Sequence, residues 1–418
     1  MPLLPELHDN PRAERAAAVT AVSALVFLTL VLQLALDIDG VLDTDTINFG
    51  LAAFRFDITD HQPHPPGYPG YVLFLKVIHL LFPNLGPIDV AKWGSRLCGM
   101  ATVCAAYWVG TRSLSDEAAP GRGRPLLCAV VAAFHPVIWY YGADGQSHAA
   151  EALLTLLLFG ASVAVKARSD LRSRLLLVIA FGLAGSVRPT IPLLSSPLLV
   201  WVFWRRPVRD WVIAMGTGVA ATASWYVPLI VASGGWELYT RAQRALVFDL
   251  FLKNYSLFAT EEPRLALFNA TVAVQYAALS LLPLLAWGGR RPPWQRAFAA
   301  VIVTNVVFYA VVYIAEAGYL SGVAALACLV PATFQCPLRL HTRLRLAAAI
   351  VMGLVFTTLG PGDMPILGTP FRAWIPTIQH TVDVETVEHF YRDRVCRAAR
   401  GEPALVITDN PNTTHTHL

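Results

Sequence analysis

The sequence predicts an all-α polytopic membrane protein, a bundle of about eleven transmembrane helices with interfacial helices in its first outer loop. Three observations predict it. Hydrophobic residues fill 55% of the 418 positions and charged residues only 14%, where an ordinary soluble protein carries about a quarter charged. Mean hydropathy is +0.51, with 28 Gly and 29 Pro spread through apolar stretches, residues that membrane helices tolerate better than soluble ones. Every second connection between the apolar runs is basic, with most carboxylates in the others, as the positive-inside rule leads one to expect of a chain threading a bilayer.

Crossing about 30 Å of hydrocarbon takes about 20 mostly apolar residues. Runs near that length fall at 16–36, 90–111, 125–141, 148–165, 174–187, 190–204, 211–233, 265–287, 297–315, 319–336 and 345–360. The pair 174–187 and 190–204 is short and parted only by Arg188-Pro189-Thr190, so it reads as two spans with a tight polar hairpin or as one broken region. The run Tyr68–Phe82 has about 15 residues and carries Lys76 and His79. It reads as a helix lying in the interface.

Leaving that run out of the count also orders the charges. With Arg12 and Arg15 in the cytoplasm, every even-numbered connection is basic: Arg112, Arg122 and Arg124; Lys166, Arg168, Arg172 and Arg174; Arg205, Arg206 and Arg209; Arg290, Arg291 and Arg296; Arg339, Arg343 and Arg345. These segments hold 18 Lys and Arg against 7 Asp and Glu, and the rest of the chain holds 14 against 21. The expected location is an inner (plasma) membrane, multi-pass, with a cytoplasmic N-terminus and a site on the periplasmic or extracellular side. Two regions follow: 1–360 as the transmembrane domain and 361–418 as a short outer tail or small appended unit. A net charge of +4 gives no support to a nucleic-acid partner. Of the six cysteines, five lie in or beside apolar runs and Cys396 stands alone, which argues against a disulfide framework.

The first outer loop, 37–89, concentrates the chemistry. It opens with Asp37, Asp39, Asp43, Asp45, Asp57 and Asp60. Asp37 and Asp39 read as residues that keep a span end wet. Asp43 and Asp45 precede a stretch, 47–54, with helix-compatible apolar spacing that holds the turn near the bilayer. A carboxylate beside such a dehydrated surface becomes a proton acceptor near neutral pH, and two at i and i+2 can instead grip a divalent cation. Next, His61-Gln62-Pro63-His64-Pro65-Pro66-Gly67-Tyr68-Pro69 sets two imidazoles on a stiff turn, because proline fixes its own backbone angle.

The order Asp45-x-x-Asn48-Phe49-Gly50, Phe56-Asp57 and His64-Pro65-Pro66-Gly67 resembles the first outer loop of the GT-C superfamily of membrane glycosyltransferases. The protein O-mannosyltransferases have the nearest pattern, and the lipid A aminoarabinose transferases are relatives. Thr46 stands where the mannosyltransferases have Glu, and Gly67 where they have Leu. The resemblance implies a GT-C-type bundle, a polyprenyl-phosphate-linked sugar donor, transfer to an acceptor hydroxyl on the outer face, inversion at the anomeric carbon, and Asp45 as the catalytic carboxylate.

Other outer residues join the candidate list on physical grounds. Arg188 ends a span, where a charge costs about 2.5–3.5 kcal/mol unless it faces a polar cavity; it either snorkels or binds a phosphate, which suits guanidinium. Glu151, about one turn inside its helix, reads as cavity-facing. Glu316 ends a span before Gly318-Tyr319. Arg241 and Arg244 stand among aromatics in 234–264, which fits a lipid phosphate site or an ordinary surface helix. His61 and His64 are candidates to orient donor or acceptor, Asp57 to bind substrate, and Asp43 to assist Asp45 or hold a metal. The acceptor (protein, lipid or glycan) is left open, and membrane lipids are the remaining partners. Two other readings stay open, a lipid-carrier flippase or transporter and a lipid-linked polymer ligase.

Overall fold

The computed structural model describes residues 11–347 apart from 36, 38–40, 42, 114–122, 169, 259, 288–291, 334–342 and 345. The eleventh expected span beyond residue 347, the tail 361–418, Asp39 and Cys396 lie outside the described residues. Helices α1 (Pro11–Ala35), α2 (Thr44–Phe54), α3 (Pro69–Leu81), α4 (Pro87–Ser113), α5 (Gly123–Phe134), α6 (Pro136–Asp144), α7 (His148–Lys166) and α8 (Leu171–Val187) build the first half. The second half holds α9 (Thr190–Leu194), α10 (Ser196–Phe203), α11 (Val208–Ala232), α12 (Trp236–Gln243), α13 (Lys253–Tyr255), α14 (Pro263–Ser280), α15 (Gln295–Val311) and α16 (Ser321–Ala327). A π-helical stretch, Arg244–Leu252, joins α12 to α13. Among the described residues there is no strand, only an isolated bridge between Asp57 and Gln62.

Helix thus occupies each of the first ten expected spans, but often not as one rod. Among the described residues three helices are long and apolar enough to cross a membrane alone, Arg15–Ala35, His148–Lys166 and Val208–Ala232. A fourth results if α5 and α6, bent by 53°, make one span. The bend falls at His135-Pro136, where proline cannot continue the hydrogen-bond ladder of α5. The expected span 190–204 is broken into α9 and α10, with Pro197 in the first turn of α10, and the described part of 319–336, as far as Thr333, is a 3-10 turn, α16 and a second 3-10 turn. All seven residues of α16 are buried, so this segment is core and not a lipid-facing rod.

α7 is central, with two-thirds of its apolar window inside the protein, and α11 is peripheral, with Val212, Met215, Val219 and Val231 exposed as a lipid-facing helix requires. α2 and α3 pack over the start of α4. Gly50 is obligatory there, because a Cβ would lie 2.4 Å from the Pro87 carbonyl oxygen. On α3 one side buries Tyr71, Val72, Leu75 and Ile78 while Leu73, Val77 and Leu80 are exposed, the two-sided pattern of an interfacial helix.

Asp37 does more than keep a span end wet. Its carboxylate takes the Lys92 ammonium at 2.9 Å and the Arg96 guanidinium at 2.7 Å, both cations being buried in the first turns of α4. Burial alone would raise the Asp37 carboxyl, and the two cations hold it below the usual value.

Candidate active site at one end of the bundle

α2 begins where Asp43 accepts the Asp45 backbone N–H at 2.7 Å, an N-cap that satisfies one of the helix's orphan donors. Asp45 then projects from the first turn, and its Oδ1 lies 3.2 Å from His64 Nδ1 and accepts from Asn48 Nδ2 at 3.4 Å. His64 reaches the Tyr68 hydroxyl at 3.2 Å through Nε2. If Nδ1–H donates to the carboxylate, Nε2 can accept from the Tyr68 hydroxyl, and the two contacts fix the orientation of the ring. Phe49 fixes this arrangement sterically, with edge contacts to His64, Tyr68 and Tyr71 at 5.1–5.5 Å between centroids.

A second set of charges arrives from α7, α8 and the turn before the Ala317–Leu320 3-10 helix. Arg188 Nε forms an ion pair with Glu151 Oε2 at 3.1 Å, and Nη1 donates to His148 Nδ1 at 2.8 Å and to Ser147 Oγ at 3.2 Å. An arginine can only donate, so Nδ1 of His148 must be the bare nitrogen and Nε2 carries the proton. That proton points to Glu316 Oε1, 2.7 Å away. The result is a chain Glu151–Arg188–His148–Glu316, an ion pair followed by two hydrogen bonds whose directions are assigned. It leaves Nη2 as the guanidinium's remaining donor group, with the Arg188 Cζ 4.9 Å over the Tyr319 ring. Gly318 lets the turn close on this chain: a Cβ there would sit 2.6 Å from His148 Cδ2 and 2.7 Å from Tyr141 Cε1.

The two sets face one another. Burial and the charge of Asp45 raise the Glu316 carboxyl to about 7, against the lowering effect of Arg188. Burial likewise raises Asp43, with the charges of Asp45 and Glu316 adding to it. Asp45 goes the other way, since the His64 imidazole and the Asn48 hydrogen bond outweigh its burial. Of two carboxyls this close one ionises more easily than the other, and the surroundings favour the negative charge on Asp45 and the proton on Asp43. Asp45 keeps 34% of its side-chain surface accessible and Glu316 21%, so both carboxylates can be reached by a substrate.

Residues 49–212 match the family model described as the protein O-mannosyl-transferase TMEM260 N-terminal domain. The structure is similar to the crystal structure of ArnT from Cupriavidus metallidurans in the apo state, with a TM-score of 0.55 and 14% sequence identity, over 81% of this chain and 64% of that one. The fold is of GT-C type. The chain spans 64% of the length of ArnT, and no curated protein matches its sequence. In this GT-C bundle the matched segment carries Phe49, Gly50, His64, His148, Glu151 and Arg188; Asp43 and Asp45 stand just before it and Glu316 well after it.

The GT-C bundle therefore brings together Asp43, Asp45, His64, Glu151, Arg188 and Glu316, and sets the other candidates apart. Asp57 Oδ1 accepts from the Thr59 hydroxyl and from the Thr59 and Asp60 N–H groups, and its Oδ2 pairs with Arg55 at 2.8 Å, so it holds a turn instead of meeting a substrate. His61 is exposed on the same turn. Arg241 pairs with Glu237 on the outside of α12 at 2.9 Å. Arg244 lines a groove of about 810 Å³ with Trp225, Tyr226, Tyr239 and Phe248; Pro66 and Pro189 also line it, which puts it beside the site but not in it. Asp43 as a metal ligand meets a competing task, its capping bond, and no cluster of three or more His, Cys, Asp or Glu suited to a metal occurs among the described residues. Thr46, at the position where the resemblance has Glu, is fully buried and donates its hydroxyl to the Asp144 carbonyl. His148 is the residue that sequence reasoning did not select. Its one signal is the i, i+3 spacing to Glu151 just after a run of aromatics.

Proposed function

We propose that this protein is an integral-membrane glycosyltransferase that moves a sugar from a polyprenyl-phosphate-linked donor to an acceptor hydroxyl at the outer face of the membrane. The observation that carries it is the meeting of an oriented carboxylate, Asp45–His64, with a buried and directed cation, Arg188, inside a GT-C bundle. A transporter would place ionisable groups along several spans, whereas here they gather at helix ends. In the proposed reaction the Asp45 carboxylate takes the proton of the acceptor hydroxyl as that oxygen attacks the anomeric carbon. The bond from this carbon to the phosphate oxygen breaks, and the electron pair leaves with the lipid phosphate. Arg188 Nη2 meets the charge that develops there, since a preorganised donor in a dry site is worth far more than in water. The apolar groove beside Pro66 and Pro189 offers a lane for a lipid chain. The orientation, with the N-terminus cytoplasmic, follows from the basic connections.

Asp45→Asn should lower transfer from a polyprenyl-phosphate-sugar donor in purified protein by about 10²–10⁴-fold, the usual contribution of a positioned base. Unchanged transfer would overturn the assignment. A second reading, favoured by the raised Glu316 carboxyl, has Glu316 take the proton. The pH profile separates them. If Asp45 is the base, kcat/KM is flat from about pH 5 to 8, because its lowered carboxyl is ionised throughout. If Glu316 is the base, kcat/KM rises with pH through about 7, since only the ionised form accepts a proton.

A further inference from the structure

At the end of the bundle opposite the site, charge is left unbalanced. α7 has 19 residues and is therefore about 28 Å long at 1.5 Å per residue, close to the hydrocarbon thickness. It starts at His148 in the site and finishes at Lys166. Around Lys166, the cations of Arg206, Arg174 and Arg205 all repel its charge, and Arg168, Arg172 and Arg209 flank them in sequence. The local carboxylates are Asp170 and Asp210, and Asp170 is used as the N-cap of α8, accepting the Ser173 N–H. Among the described residues none of the seven cations makes an ion pair.

Arg174 sharpens the point. It is 1% exposed, its Nη2 donates to the Arg168 carbonyl at 2.9 Å, and its Nε has no hydrogen-bond partner among the described residues. Asp210 and Asp170 attract the Arg174 charge but neither forms an ion pair with it among the described residues, so the cost of its burial is only partly offset within the chain, and an anion from outside would lower it further. Lys166 is already aimed, donating to the Trp201 carbonyl at 2.7 Å with Nζ 5.6 Å over the indole. Next to the cations stand large apolar side chains open to the surroundings, Leu176, Val200, Trp204, Val208 and Val212. Cations at the level of a bilayer surface with exposed apolar walls beside them match an amphiphile, with phosphate at the cations and acyl chains along the walls.

We propose that Lys166, Arg174, Arg205 and Arg206 form a binding site for the phosphate headgroup of an anionic glycerophospholipid in the leaflet away from the active site. The occupant is a lipid and not a free anion, because the apolar walls would remain uncovered by inorganic phosphate. Binding neutralises the mutually repelling cations and anchors the ends of α7, α8 and α10, the opposite ends of two of the helices that carry the site.

The test uses full-length protein in a neutral detergent, titrated separately with phosphatidylglycerol, phosphatidylcholine and inorganic phosphate, with binding followed by native mass spectrometry and by thermal unfolding. Phosphatidylglycerol should bind at least tenfold more tightly than the other two and raise the melting temperature, with the effect weakening as salt rises. The double substitution Lys166→Gln/Arg206→Gln should reduce that preference at least tenfold, and Arg206→Lys should keep it. Equal binding of phosphatidylcholine, equal binding of inorganic phosphate, or an undiminished preference in the double variant would each overturn the proposal. Should the double variant fail to fold, Arg206→Gln alone gives the same reading at a partly exposed residue, with a smaller loss expected.

Discussion

At the end of the bundle that holds Asp45 and Arg188, charges are matched within the protein: Arg188 with Glu151, Lys92 and Arg96 with Asp37, Arg55 with Asp57 and Asp60. At the other end Lys166, Arg174 and Arg206 make no ion pair among the described residues, and Asp210 and Asp170 only partly offset the charge of Arg174. The difference teaches where each set of charges does its work. A site that must act on a substrate needs its groups oriented before the substrate arrives, so each partner is fixed by another. A surface that meets a charged bilayer gains by leaving its cations open.

Removing one buried partner should have the largest effect. Arg188→Gln leaves Glu151 buried without its cation and should cost about 3–5 kcal/mol in thermal or denaturant unfolding, whereas Arg206→Gln in neutral detergent should stay within about 0.5 kcal/mol. Similar losses from both would break the comparison. A steric test comes next. Gly318→Ala puts a methyl against His148 and Tyr141, and overpacking of this kind costs about 1–3 kcal/mol. Displacing His148 should also lower transfer activity more than tenfold, while a change in stability alone would show that the His148–Glu316 bond is dispensable. The smallest effect separates two roles of one residue. Asp43→Asn keeps a capping oxygen and replaces a carboxyl whose burial and anionic neighbours favour the protonated form, so activity and stability should both persist. Asp43→Ala removes the cap and should cost about 1 kcal/mol. A large loss of activity in Asp43→Asn would mean that its charge is used.

Much of the first set of site residues was legible in the sequence, because it is local. Asp45, Phe49-Gly50 and His64 lie within twenty residues, and a proline-stiffened turn can return a histidine to a helix N-terminus over that distance. Glu151 and Arg188 were legible as charges too deep in spans to be idle. The bond from His148 to Glu316 was not, since its partners are 168 residues apart and His148 carries no mark distinguishing it from a wet boundary residue. Asp57 misled for the opposite reason: its pattern is shared by residues that bind a substrate and residues that cap a turn, and only the Thr59, Asp60 and Arg55 contacts decide between them.

The sequence by itself determined the solvent, the helical class and the sorting of charge along the chain, because burial of apolar length in a bilayer and the placement of Lys and Arg depend on composition taken one segment at a time. Tertiary structure alone decided which segments run as straight rods and which break into the core, as α16 does. It also decided that Arg188 is held by Glu151 and His148, and that the cations near Lys166 make no ion pair among the described residues. Those outcomes depend on distances between residues far apart in the chain, which only the packing of α7 against its neighbours fixes.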